Sequence, residues 1–105
     1  METTYDSRID LLETYVERDV DAGDSVRNGN CILHRSSDSS VIGLEILNAS
    51  ETLGSSTDFL KSIEEAKIVS KFSEGSQEVY ITLKTGSKSC KKRFSFPKAS
   101  RRALV

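Results

Sequence analysis

The sequence predicts an α+β fold: two antiparallel three-stranded meanders joined by one short helix, in the order β-β-β-α-β-β-β. Three observations carry that expectation. Alternating apolar and polar residues recur in CILHR, VIGLEIL, EVYITLK and RFSF, the period-two signature of strands with one buried face. Short links rich in Ser, Asn and Gly, of hairpin length, separate several of these runs. Between the two groups the apolar period lengthens to three or four, at Phe59, Leu60, Ile63 and Ala66.

The first run, IDLLETYVE at 9–17, is β-branched and aromatic enough for a strand, although Ile9, Leu12 and Val16 also fit a helical face. The polar stretch RDVDAGDSVRNGN follows and reads as a loop, with Asn28-Gly29 as a tight-turn signal. CILHR and VIGLEIL flank Ser36-Ser37-Asp38-Ser39-Ser40 and form a hairpin, with Ile42, Leu44 and Ile46 on one face and Gly43, Glu45 and Leu47 on the other. Gly43 marks a close approach to the backbone or a place where the helix lies over the sheet. Asn48-Ala49-Ser50 ends the alternation and supplies capping groups for the helical connection.

Ser55 followed by Asp58 resembles a capping box with a shorter acid, so a short amphipathic helix is expected over 58–66, with Glu64 and Glu65 poorly placed for its dipole. KIVSKF, EVYITLK and SCKKRFSF then form the second meander through Gly-containing links. Val79, Ile81 and Leu83 share its buried face with Phe94 and Phe96, and Pro97 ends pairing because it has no N–H to donate. The expected divisions are 5–50 for the first meander, 51–66 for the connection, 67–97 for the second meander and 98–105 for a basic tail, all within a single domain.

Only 36% of the 105 residues are hydrophobic and tryptophan is absent, so the core is modest and dimerisation would help it. The near-balance of charge hides a division. Residues 1–50 hold four bases and ten acids, a net of −6, whereas residues 51–105 hold eleven bases and six acids, a net of +5. From Lys84 onward there are eight bases and no acid. Cys31 and Cys90 are too few for a disulfide framework and lack the spacing for zinc, so both are expected as small hydrophobes. No apolar run approaches the roughly 20 residues of a membrane helix, and METTYDSRID has no signal-peptide character. A cytoplasmic setting is the expectation.

YDSRIDLL at 5–12, NGNCILHRSSDSSVIGLEILNAS at 28–50 and the following Glu51-Thr52-Leu53 resemble a small prokaryotic domain family of unknown function. Its pattern has a Tyr-Asp start and a third strand reading Val-Gly-Ile-Glu-Ile-Leu-Asp-Ala-Ser. Tyr5, Asp6, Asp10, Gly29, Gly43, Glu45, Ala49 and Ser50 occupy the matching places, while Asn48 stands where the family often has Asp and Cys31 where it has an aliphatic residue. The resemblance covers about half the chain and stops before the second meander. It implies a partner-binding, antitoxin-like role.

Enzyme chemistry has little to stand on in the sequence. Asp10, His34 and Glu45 are the titratable groups that an active site would need to gather, and Asp6 and Glu51 are further acids. Yet Glu45 is expected to pair with a cross-strand base such as Arg35, and Asp6 and Asp10 to hydrogen-bond the local backbone. His34 lies on the strand face opposite Cys31 and Leu33, which separates it from the nearest thiol. No Gly-x-Ser-x-Gly turn and no phosphate loop occurs. No cofactor and no metal is expected.

The expected function is therefore non-catalytic binding of a protein partner or of a second copy. The alternative is nucleic-acid binding through the basic end of the chain. The contact residues in either case are Lys88, Lys91, Lys92, Arg93, Lys98, Arg101 and Arg102, which would meet phosphates or an acidic surface, or else protect an edge strand from aggregation. Tyr80 and Thr82 on the neighbouring strand would add a stacking platform if their face is open.

Overall fold

The computed structural model describes residues 1–16 and 22–98. It is an α+β arrangement of eight strands and two short helices. The strands are β1 (Glu2–Asp6), β2 (Leu11–Tyr15), β3 (Ala22–Asn28), β4 (Cys31–Ser36), β5 (Val41–Ile46), β6 (Glu65–Ser73), β7 (Ser76–Thr85) and β8 (Lys88–Pro97). The helices α1 (Ala49–Leu53) and α2 (Thr57–Lys61) lie between β5 and β6.

The second half forms the expected meander, with β7 central between β6 and β8. The first half does not. Its sheet has five strands in the order β1-β2-β5-β4-β3, so β5 leaves its hairpin with β4 to pair on its other side with β2. Two strands account for the difference. Residues 2–6 pair antiparallel with β2, and residues 22–28, expected as loop, pair with β4. Both are polar edge strands that alternation alone does not distinguish from coil. The expected end of the first strand at Glu17 lies outside the described residues.

The single expected helix is two. Gly54 adopts φ 65° and closes α1, its N–H donating to the Glu51 carbonyl, a left-handed geometry that glycine adopts without steric penalty. Ser56, not Ser55, then caps α2 by accepting the Phe59 N–H on its hydroxyl at 3.1 Å. The helical period ends at Lys61, so Ile63 and Ala66 pack against the core from outside any helix, Ala66 from β6.

Both sheets and both helices contribute to one apolar cluster: Leu12, Leu33, Leu44 and Ile46 from the larger sheet, Val79, Ile81, Leu83 and Phe96 from the smaller, and Ala49, Leu53 and Leu60 from the helices. Cys31 is fully buried among them, and burial pushes its thiol up to about 12. Cys90 is half-buried and donates to the Leu53 carbonyl at 3.5 Å. One inward assignment in β5 shifts. An irregularity between His34 and Arg35 sets Val41 opposite Arg35 and against the core, in the place expected for Ile42.

A polar bridge crosses this interior. Arg35, 2% exposed, donates from Nε and Nη2 to the two carboxylate oxygens of Asp24 at 2.8 and 2.7 Å. Its Nη1 donates to Gln77 Oε1 at 3.2 Å and to the Pro97 carbonyl at 2.8 Å. Buried Gln77 in turn donates to the Ser39 carbonyl at 3.1 Å. Asn28 on β3 also reaches β8, donating to the Ser95 carbonyl at 2.6 Å. Among the described residues no helix is long and apolar enough to cross a membrane.

Candidate functional site

Alternation in β7 turns Val79, Ile81 and Leu83 into the core, so Glu78, Tyr80, Thr82 and Lys84 face the other way. Pairing aligns the neighbouring strands in rows across that outer face: Val69–Tyr80–Arg93, Lys67–Thr82–Lys91 and Lys71–Glu78–Ser95. The centre is open, Tyr80 being 36% and Val69 42% exposed. The surface is thus an aromatic ring and an aliphatic side chain bordered by Lys67, Lys71, Lys84, Lys91 and Arg93, all exposed. Lys71 Nζ sits 5.9 Å from the centre of the Tyr80 ring, within cation–π range.

Glu65 and Glu78 are the acids of this face. Glu78 accepts hydrogen bonds from Ser95 Oγ at 2.7 Å and Ser76 Oγ at 2.9 Å, with Arg93 Nε 3.7 Å away. Those hydroxyls, more than Arg93, hold its carboxyl below its ordinary range. Its charge is thereby occupied at one end, and at the opposite end Glu65 lies beside Lys84, so the rows between them, Val69–Tyr80–Arg93 and Lys67–Thr82–Lys91, are the basic part of the face.

The basic block of the sequence divides between two sides of β8. Lys91 and Arg93 belong to the outer face; Lys88 and Lys92 have the parity of Cys90 and Phe94 and point the other way, although both are exposed. Lys88 lines a shallow pocket beside α2 with Ser56, Phe59 and Thr85. Lys98 is exposed just beyond β8. Arg101 and Arg102, with nearly all of the expected basic tail, lie outside the described residues. The face also gains Lys67 and Lys71, which the sequence block omits, and Lys84, which belongs to that block but not to the expected contact residues; their signal was the alternation within EAKIVSKFS and EVYITLK.

The acids and the histidine fall into two other groups. Tyr5 donates its hydroxyl to Asp10 Oδ1 at 2.5 Å, and Ser50 donates its hydroxyl to Asp10 Oδ2 at 2.7 Å and its N–H to Oδ1 at 3.1 Å. The Asp10 carboxylate therefore caps α1 from the β1–β2 turn, while Asn48, at the N-cap position with φ 50°, makes no side-chain cap bond. Asp10 acts across 40 residues instead of on its local backbone. The Tyr5 hydrogen bond, with smaller help from Ser50, outweighs burial and holds the Asp10 carboxyl below its usual range. Burial and the adjoining carboxylate push Tyr5 up to about 12. Asp6 accepts from Arg8, as a turn residue does.

His34 does have partners. Ser25 Oγ is 2.7 Å from Nδ1, Glu45 Oε2 is 2.7 Å from Nε2, and the Tyr15 ring stacks on the imidazole at 6.1 Å. Glu45 thus pairs with His34, correcting the expected pairing with Arg35, whose carboxylate is Asp24. The close approach expected at Gly43 is real: a Cβ there would lie 2.5 Å from the Tyr15 ring. A base between a hydroxyl and a carboxylate is one part of a nucleophilic site; catalysis also needs a pocket and donors for developing charge. Asp10 belongs to a different cluster, so the three titratable groups do not converge. Among the described residues no group of His, Cys, Asp and Glu has the arrangement to hold a metal ion.

No family model matches the chain, nor does any curated protein or any solved structure. The class defined by the fold is an α+β arrangement of two antiparallel sheets, the smaller of which carries, among the described residues, an exposed basic outer face.

Proposed function

We propose that the chain is a non-catalytic binding module whose working surface is the outer face of the three-stranded sheet, and that this face takes single-stranded nucleic acid. The supporting observation is Tyr80, exposed at the centre of that face with Arg93 beside it, Lys71 over its ring and Lys67 and Lys91 in the adjacent row. Bases stack on such a ring without regard to sequence, worth roughly 1–3 kcal/mol each, while the surrounding ammonium and guanidinium groups track phosphates. The overall charge of −1 is no obstacle, because the acids are concentrated in the first half.

Fluorescence anisotropy with a labelled oligothymidylate tests this. The expected result is binding that weakens steeply with salt and falls roughly tenfold or more in Tyr80→Ala. Absence of binding at low salt, or binding indifferent to Tyr80→Ala, overturns it and leaves the lysines as solvated guards of a sheet face.

A second reading, binding of a protein partner, rests on the edge of β6, which among the described residues pairs with no second strand, and agrees with what the family resemblance implies. A strand edge recognises extended chain through its main-chain groups.

A further inference from the structure

We propose that β6 pairs antiparallel with β6 of a second copy, about a two-fold axis through Ile68, so that two three-stranded sheets become one of six strands. This rests on the partner-binding reading and names the partner.

β6 ends the smaller sheet, runs nine residues in unbroken register with β7, and contains neither a bulge nor proline. Among the described residues its backbone makes no hydrogen bond to any strand but β7. The lysines of its outer face are the one device against pairing, so the identity of a partner depends on which register they tolerate. Outward residues are Glu65, Lys67, Val69, Lys71 and Ser73, and inward ones are Ala66, Ile68, Ser70 and Phe72.

A perpendicular two-fold axis sets outward residues opposite outward residues. With the axis at Val69, each Lys67 faces a Lys71; with the axis at Lys67, that lysine faces itself. Both place like charges directly opposite, which is destabilising. With the axis at Ser70, Val69 faces Lys71 and no opposite charges meet. With the axis at Ile68, each Glu65 faces a Lys71 and each Lys67 faces a Val69. On the inner side Ile68 then meets its own copy, extending the apolar layer to which it already belongs. Of the registers that pair at least five residues of β6, only this one sets no lysine opposite a lysine and gains two ion pairs.

The same axis brings the two basic outer faces onto one side of the joined sheet. The two Tyr80 rings then stand roughly 15 Å apart, three strand spacings plus an offset of two residues.

Sedimentation velocity from micromolar to millimolar protein is the test. The expected result is a mass rising from one chain to two, with Glu65→Lys and Lys71→Glu each weakening association roughly tenfold and the double charge swap restoring it. Glu65 and Lys71 are both exposed, so these variants should fold. A single-chain mass at every concentration overturns the proposal, as does a double swap no better than either single change. The wider partner-binding reading is separable. If the wild-type chain stays a monomer, self-pairing fails while docking of a different protein on β6 stands; oligothymidylate anisotropy reports on Tyr80 independently.

Discussion

Arg35 of β4 and Gln77 of β7 meet between the two sheets, guanidinium to amide oxygen at 3.2 Å, and through them the larger sheet is tied to the smaller by polar contacts as well as by packing. The buried cation is satisfied by Asp24 on one side and by Gln77 and the Pro97 carbonyl on the other. Asp24→Ala leaves Arg35 without its carboxylate. Because the Asp24 side chain is 46% exposed, water replaces part of that contact, and the expected loss is about 1–3 kcal/mol in urea unfolding. Arg35→Ala, which also opens a cavity and strands Gln77, should lose about 3–5 kcal/mol.

Those contacts also mark where sequence reasoning ended. The inward sets Val79, Ile81, Leu83 and Phe94, Phe96 were legible because period two reports which face of a strand is buried, and the β4–β5 hairpin because turn residues separate two alternating runs. β1 and β3 were not legible: ETTYD and AGDSVRN carry no apolar alternation, and they become strands by pairing with β2 and β4. Insertion of β5 between β2 and β4 is a tertiary choice that local pattern does not encode. Half of the basic face was legible as a charge run. A run ignores the pleat, however, so it grouped Lys88 and Lys92 with Lys84, Lys91 and Arg93 and missed Lys67 and Lys71 on β6. His34 acquired Ser25 and Glu45 from strands whose register had to be known first.

The Asp10 cap predicts a pH dependence with a definite sign. Its carboxyl is held below the ordinary value of 3.8, first by Tyr5 and then by Ser50. A depressed folded value means the contribution is complete above the ordinary carboxylate range and is lost as pH falls through the folded value. Tyr5 runs oppositely: its contribution is complete below its ordinary value of 10.0 and is lost as pH climbs toward about 12. Asp10→Asn tolerates the φ of 51° and should reduce stability by about 1–2 kcal/mol near neutral pH, with a flatter acid limb in a series of urea melts. An unchanged acid limb would remove Asp10 from the account.

Gly23 and Gly43 give contrasting results on substitution by alanine. At Gly23 the added Cβ would lie 2.3 Å from the Ser36 carbonyl oxygen, a backbone atom, at the irregularity where β3 meets β4. Relief requires the strands to separate, so a loss of about 2–3 kcal/mol is expected. At Gly43 the two nearest atoms belong to the Tyr15 ring, which can swing away from His34, and the backbone atom, the Thr14 carbonyl oxygen, lies at 3.0 Å, a milder contact than at Gly23. Hydrogen exchange should show early opening of β3 in Gly23→Ala and little backbone change in Gly43→Ala.

The division of the basic block by the pleat of β8 is testable with two variants of equal charge. Lys91→Ser with Arg93→Ser removes two bases from the Tyr80 face, and Lys88→Ser with Lys92→Ser removes two from the other side. If the face binds single strands, the first pair should reduce the salt slope by about 1.4 and the second should leave it nearly unchanged. Equal effects would mean that total charge, not the face, governs binding.

The Asn28 and Arg35 side chains occupy the Ser95 and Pro97 carbonyls at the end of β8, so the far border of the smaller sheet is sealed there by the molecule's own residues. A sheet with ready borders on both sides could stack without limit into fibres; among the described residues the last carbonyls of β8 are closed in this way, whereas β6 is open along its length. Joining of two copies through β6 uses up that border at the first step and stops at a pair.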